Sequence, residues 1–281
     1  MLIALVAAVI TLRLLMHEPA GHYPKDRVVY WQLGVENTTS KPLRDIEIHS
    51  FAPVRLSWQQ KRLSLEANVP LIEADETPGK GAVRANVALI PPFGRRDIRF
   101  QATMAMADDH RNAHMQNPNA SSYRQASAAE QNAGIAELAR QLERATAMET
   151  TRSIYDWLVS EIRYSGYDPV ERGAIAAFEQ REGDCSEFAS LGVALAGALG
   201  MQARKVNGFV VHEDGRLGPF DFHAWAEIRV DDRWVILDAQ ERQFDPGPSA
   251  YLATSFGSEY RDGQSIKFAA NSDAVRIYME Q

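Results

Sequence analysis

Cysteine is almost missing from this sequence. One thiol, Cys185, stands among 281 residues, so no disulfide can form within the chain and stability must come from packing. Any thiol chemistry therefore falls on Cys185. Dense Lys/Arg runs are also missing, and the net charge of -7 argues against a nucleic-acid surface. No internal repeat or low-complexity tract is present. A membrane-length apolar run is lacking as well. Leu2 to Leu12 carry no charge, but Arg13 ends the run, short of the roughly 20 residues a spanning helix needs. The basic segment that usually opens a secretory signal is not there either. Residues 1–16 are read as a short signal or membrane-anchor segment, because the polar stretch His17 to Arg27 follows at once. A buried helix is the competing reading. The anchor reading implies a periplasmic or extracellular protein that associates with a membrane through residues 1–16.

What is present is an ordinary globular composition, 45% apolar and 24% charged. The chain is long enough for one large or two modest domains. Strand signals dominate residues 27–107. "RVVYWQLGVEN" is a β-rich run followed by the turn cluster "NTTSKP", and "IEIHSF" alternates apolar with polar. Two further runs flank "PPFG". Short strands at this spacing predict a β-sandwich domain over 27–107. His49, alone on a strand, reads as a surface or edge histidine. Residues 108–131 read as a polar linker. His110 and His114 would share a helix face there, but no carboxylate or thiol stands at a matching position, and no metal or other cofactor is expected.

From about Gly134 the apolar period becomes helical. Ile135, Leu138 and Leu142, then Ile154, Leu158 and Ile162, recur at threes and fours. The loop "YSGYDPVERG" leads to "REGDCSEFASLGVALAGALG". Phe188, Leu191, Leu195 and Leu199 keep helical spacing there, and Gly200 marks the stop. Gly183 is expected to make a tight turn and Asp184 to cap the helix. Cys185 then lies in the first turn, where unpaired N–H groups and the helix dipole favour a thiolate. The helix alone leaves two readings, a buried core thiol or a nucleophile.

The stretch "FDFHAWAEIRVDDRWVILDAQ" reads as two strands joined at "VDDR". A loop of two or four residues centred between Asp231 and Asp232 pairs Trp225 with Asp238 and His223 with Gln240. His223 and Asp238 then become diagonal neighbours on one face, about 7–8 Å apart at the backbone. A carboxylate there can fix one imidazole nitrogen and leave the other for a thiol. An odd loop count would put the two on opposite faces. Trp225, Trp234 and Ile236 would share the His223 face, and Ala224, Ala226, Ile228, Val235, Leu237 and Ala239 the other. Both faces then look buried. Trp225 and Trp234 read as core packing, Glu227 as a strand-end polar residue or hydrogen bonder, and His212 as a solvated loop residue. "FDPGPS" reads as a turn-rich segment leading past the site.

"GDCSEFASLGVALAGALGMQARKVNGFV", "FHAWAEI" and "WVILDAQ" together resemble the transglutaminase-like superfamily, over roughly Gly134 to Ile236 and beyond. The resemblance implies an α+β fold: a β-sandwich, then a transglutaminase core over 132–281 with helices packed on an antiparallel sheet. It also implies a papain-like triad of Cys185, His223 and Asp238, acting on a peptide or protein substrate. Cys185 would attack an amide carbonyl with His223 as base. The Cys185 backbone N–H is one oxyanion donor; Gln180 and Tyr164 are the side chains considered for the second, and Trp225 for substrate contact. Hydrolysis is expected over crosslinking. A transamidase, and a non-catalytic binding or scaffold module of the cell envelope, are the other readings.

Overall fold

The computed structural model describes residues 21–72, 79–110, 112, 129, 131–168, 170–257 and 268–281. Residues 1–16, His114 and most of 108–131 lie outside the described residues.

Six strands open the chain: β1 (Lys25–Asn37), β2 (Leu43–Phe51), β3 (Gln60–Ala67), β4 (Leu71–Ile72), β5 (Ala82–Ile90) and β6 (Arg95–Met106). Alternate side chains of each strand point to opposite faces. Val29, Trp31, Leu33 and Val35 of β1 therefore meet Ile46 and Ile48 of β2 and Val83, Ala85 and Val87 of β5 in one core. Trp31 stacks between Phe51 and Phe100, at ring-centroid distances of 5.1 and 5.0 Å. The sequence reading found β1, β2, β5 and β6 and passed over β3. The register between β3 and β6 shifts between Arg62 and Ser64. This bulge leaves Leu63 exposed while Leu65 packs on the core, so the period of two that advertises a strand is broken.

The chain continues through α1 (Ala133–Leu142), α2 (Ala147–Glu161), β7 (Arg163–Tyr164), α3 (Gly173–Gln180), β8 (Glu182–Gly183) and α4 (Cys185–Ala198). β9 (Ala203–Val210), β10 (Gly215–Arg216), β11 (Phe222–Val230), β12 (Arg233–Asp238), β13 (Gln243–Phe244), β14 (Tyr251–Phe256), β15 (Ala269–Ala270) and β16 (Val275–Met279) follow. An antiparallel sheet runs in the order β13-β12-β11-β9-β14. One face takes the helices, with Ala226, Ile228, Val235 and Leu237 packed against Leu191 and Leu195 of α4. The other face, with Trp225, Trp234 and Ile236, takes Val54 and Trp58 from the segment between β2 and β3. These are the two faces expected from the sequence. Burial on both faces makes the sheet the middle layer of an α+β structure.

Three late strands return to the sandwich. β10 pairs parallel with β1, β16 antiparallel with β1, and β15 with β2. Leu217, just past β10, is buried in the sandwich core, and its N–H donates to the Tyr30 carbonyl at 2.8 Å. The connection from β9 to β11 is thus held by the sandwich.

A candidate thiol active site

Cys185 is the first residue of α4, and the helix start is built by two buried carboxylates. Asp184 accepts from the Ser186 N–H at 2.7 Å, and Glu187 accepts from the Asp184 N–H at 3.0 Å. This reciprocal pair satisfies donors that every helix start leaves open. Glu187 also accepts from the N–H groups of Arg172 and Gly173, at 2.8 and 3.2 Å, which straps the preceding loop to the helix. Burial, together with the charge of Glu187, holds the Asp184 carboxyl above its usual range, against the pull of two backbone N–H donors. Gly183 corrects the sequence reading. It sits in a parallel bridge with Tyr164 and has no left-handed backbone. A Cβ there would lie 2.3 Å from Glu187 Cβ, so glycine is required by the close approach of the capping side chain.

β11 and β12 meet at Asp231 and Asp232, with φ of 45° and 63°. Two consecutive residues of positive φ suit the tight turn that matches strand twist. The two-residue loop gives the even count: Val230 pairs with Arg233, Ile228 with Val235 and Ala226 with Leu237. His223 and Asp238 consequently share a face, and His223 Nε2 lies 2.8 Å from Asp238 Oδ2. That bond leaves Nδ1 free of the carboxylate, and Cys185 lines the same cleft as the ring. All three side chains are buried. Burial pushes the imidazole pKa down, but the hydrogen bonds and charges of Asp238 and Cys185 outweigh it and raise the pKa to about 10.

A residue the sequence reading missed completes the carboxylate's surroundings. Tyr251 on β14 donates its hydroxyl to the same Asp238 Oδ2 at 2.9 Å, and the Glu241 N–H reaches Oδ1 at 3.3 Å. Burial and the charge of Asp238 push the Tyr251 phenol well above its usual range, so it stays a donor. No local pattern in the sequence links Tyr251 to the β11–β12 hairpin. Only the pairing of β14 with β9 brings it there. Tyr251→Phe should leave Asp238 one acceptor bond short. The expected loss is about 1 kcal/mol of stability, together with a changed pH profile of Cys185 reactivity. Unchanged alkylation at every pH would show that Tyr251 only fills space.

Trp225 belongs to the core. It is fully buried, lies 6.4 Å below the His223 ring at 22°, and meets Tyr251 edge-on at 5.0 Å. Contact with substrate is therefore not its place. Gln180 accepts from Arg172 Nη1 at 2.9 Å and does not line the cleft beside Cys185. Tyr164 does line it, from β7. Glu227 is also not at a strand end. It is fully buried in mid-strand, ion-paired to Arg204, and accepts from Gln59 Nε2 at 2.6 Å and Trp58 Nε1 at 3.2 Å. His110 stacks on Trp58 at 5.4 Å and lies 3.3 Å from Asp245. Among the described residues, no group of three His, Cys, Asp or Glu side chains is placed to hold a metal ion.

Cys185, His223 and Asp238 open on a cleft of about 840 Å³. The β9–β11 connection forms one wall, through His212, Pro219, Phe220 and Asp221. Pro246, Gly247 and Ser249 of the turn-rich segment form another part.

A cysteine at a helix start, facing a histidine–aspartate pair on an antiparallel sheet, defines a thiol-enzyme fold. Residues 136–239 match the family model described as the Transglutaminase-like superfamily. Among solved structures, the chain is similar to a candidate cysteine protease from Cytophaga hutchinsonii, at 17% identity and a TM-score of 0.59, over 91% of each chain. Fainter likenesses exist to LapG of Legionella pneumophila and to the periplasmic domain of TgpA from Pseudomonas aeruginosa. LapG is 14% identical over 50% of this chain and 77% of its own, with a TM-score of 0.36. TgpA is 15% identical over 70% of this chain and 89% of its own, with a TM-score of 0.34. The first likeness speaks for the fold. No curated protein matches the sequence. Among the described residues, no helix is long and apolar enough to cross a membrane.

Proposed function

We propose that this protein is a cysteine peptidase or amidase in which Cys185, His223 and Asp238 act as a catalytic triad. The observation that carries the reading is the placing of His223: Nε2 is held by Asp238 at 2.8 Å, and the ring lines one cleft with the only thiol in the sequence. The imidazole, whose pKa is raised to about 10, is the base that takes the thiol proton. The sulfur attacks the amide carbonyl carbon. The Cys185 backbone N–H at the helix start is placed to receive the oxyanion. Tyr164 across the cleft remains the candidate for the second donor. The C–N bond then breaks, and the leaving amine takes its proton from His223. Water, deprotonated by His223, attacks the thioester and releases the acid and the free thiol.

Hydrolysis is favoured over transfer to an amine because the cleft is a surface groove. Its wall residues Phe220 and Tyr164 are exposed, so water reaches the thioester. Crosslinking needs water kept out. The apolar start of the sequence supports an exported protein, with residues 1–16 as its signal or anchor. The test is incubation of the full chain with a cell-envelope protein extract and a fluorescent primary amine. New peptide termini and a transient acyl adduct on Cys185 are expected, both lost in Cys185→Ala. Stable incorporation of the amine would make the protein a transamidase. No Cys185-dependent product at all would leave a binding module.

A further inference from the structure

We propose that the cleft selects a peptide carrying a lysine or arginine side chain next to the amide presented to Cys185. The inference rests on the reading of Cys185 as a nucleophile and names its substrate class. Among the described residues no lysine or arginine side chain lines the cleft, whereas Asp221 and Glu241 do. Among the described residues neither carboxylate forms an ion pair with lysine or arginine. Asp221 Oδ2 accepts the Gly218 N–H at 2.7 Å, and Glu241 Oε1 accepts from Gln240 at 2.9 Å. Each keeps acceptor capacity for a cation.

The second observation is aromatic. Phe220, Tyr164 and Tyr167 line the same cleft and are 76%, 52% and 53% exposed. An apolar ring left that open on a loop tip costs hydrophobic stabilisation unless something covers it. Nor is the loop a loose one. The β10–β1 bridge, the buried Leu217 and the Asp214 carboxylate, which accepts the Val28 N–H at 3.0 Å, tie it to the sandwich. The ring is therefore presented at a set place. Ring faces beside carboxylates attract an ammonium or guanidinium and the alkyl stem behind it. These groups also lie close to the chemistry. The Glu241 N–H donates to Asp238 Oδ1 at 3.3 Å, and Asp221 stands two residues before His223 in the sequence.

Binding tests this without turnover. The probes are fluorescently tagged, end-blocked heptapeptides of alanine with Lys, Gln or Glu at the centre, titrated into full-length Cys185→Ala and followed by anisotropy. The Lys peptide should bind roughly fivefold to tenfold tighter than the Gln peptide, and the Glu peptide weakest. Raising salt should shrink the ratio. Asp221→Asn, Glu241→Gln and Phe220→Ala, each checked for an unchanged Tm, should bring it toward one. Equal binding of Lys and Glu peptides, or a ratio that all three variants leave intact, overturns the proposal. Preferential binding of the Lys peptide with no acyl adduct on Cys185 in the wild type would instead overturn the nucleophile reading and leave this one standing.

Discussion

Alkylation of Cys185 by iodoacetamide at pH 7 is expected to be fast in the wild type and to fall about tenfold or more in His223→Ala. The reason lies in where one proton sits. Asp238 and Cys185 together hold the imidazole pKa at about 10, so near neutrality the ring carries the proton. Without the ring, the thiol must ionise alone, and an isolated thiol near pH 7 is only about a few per cent ionised. The sign of the pH dependence follows. His223 has a raised pKa in the fold, so its favourable contribution is complete below the ordinary value of 6.5 and is lost as pH rises through about 10. The gap between wild type and His223→Ala should therefore be wide at pH 6–7 and should close on the alkaline side, roughly at pH 9–10. Asp238→Ala should lie between the two, because it frees the ring and leaves the Tyr251 hydroxyl without its acceptor. Mass spectrometry of the labelled peptide gives the rates. Equal rates in wild type and His223→Ala across this range would mean that the contact does not activate the thiol.

The second large effect concerns stability. Glu227→Ala should cost about 3–5 kcal/mol, because it removes the carboxylate ion-paired with the buried Arg204 guanidinium. For a chain of this size that corresponds to a fall in Tm of roughly 5–9 °C. Arg204 is almost wholly buried, with its guanidinium 4.1 Å from the ring centroids of both Trp234 and Phe256. It has no path to water. The loss would reach beyond the pair, because Glu227 also holds Trp58 and Gln59 from the sandwich side and Trp225 at 3.4 Å. Trp225 lies under His223. Glu227→Ala should therefore also slow alkylation, whereas Glu227→Gln keeps an acceptor for Trp58 and should lose less of both. A calorimetric Tm within about 1 °C of wild type, less than one kcal/mol on this scale, would show that the buried pair is neutral on balance.

The Cys, His and Asp were legible because the rules that place them are local. A capping box starts a helix at Cys185. A two-residue turn at Asp231 and Asp232 sets the parity of a hairpin, and parity alone decides that His223 and Asp238 share a face. Apolar periodicity separated the helix-packed face of the sheet from the face that holds His223. Where a local rule was broken, as by the bulge in β3, the strand was missed. α3 was also missed. Its sequence "GAIAAFEQ" follows directly on a loop, and Arg172 at its N-cap makes no side-chain cap bond.

Tertiary structure decided the rest. Tyr251 meets Asp238 because β14 adds to the far edge of β9. Glu227 meets Trp58 across 169 positions of sequence because two layers pack face to face. The cleft wall at Phe220 stands where it does because β10 and Leu217 are held by the sandwich. The difference is physical. Caps, turns and strand alternation involve residues a few positions apart, so the order of residues determines them. Contacts across a hundred positions follow from which apolar faces meet, and no short stretch of sequence records that choice. The sequence thus determined where the thiol, the imidazole and the carboxylate stand, and the assembled layers decided what holds them and what they face.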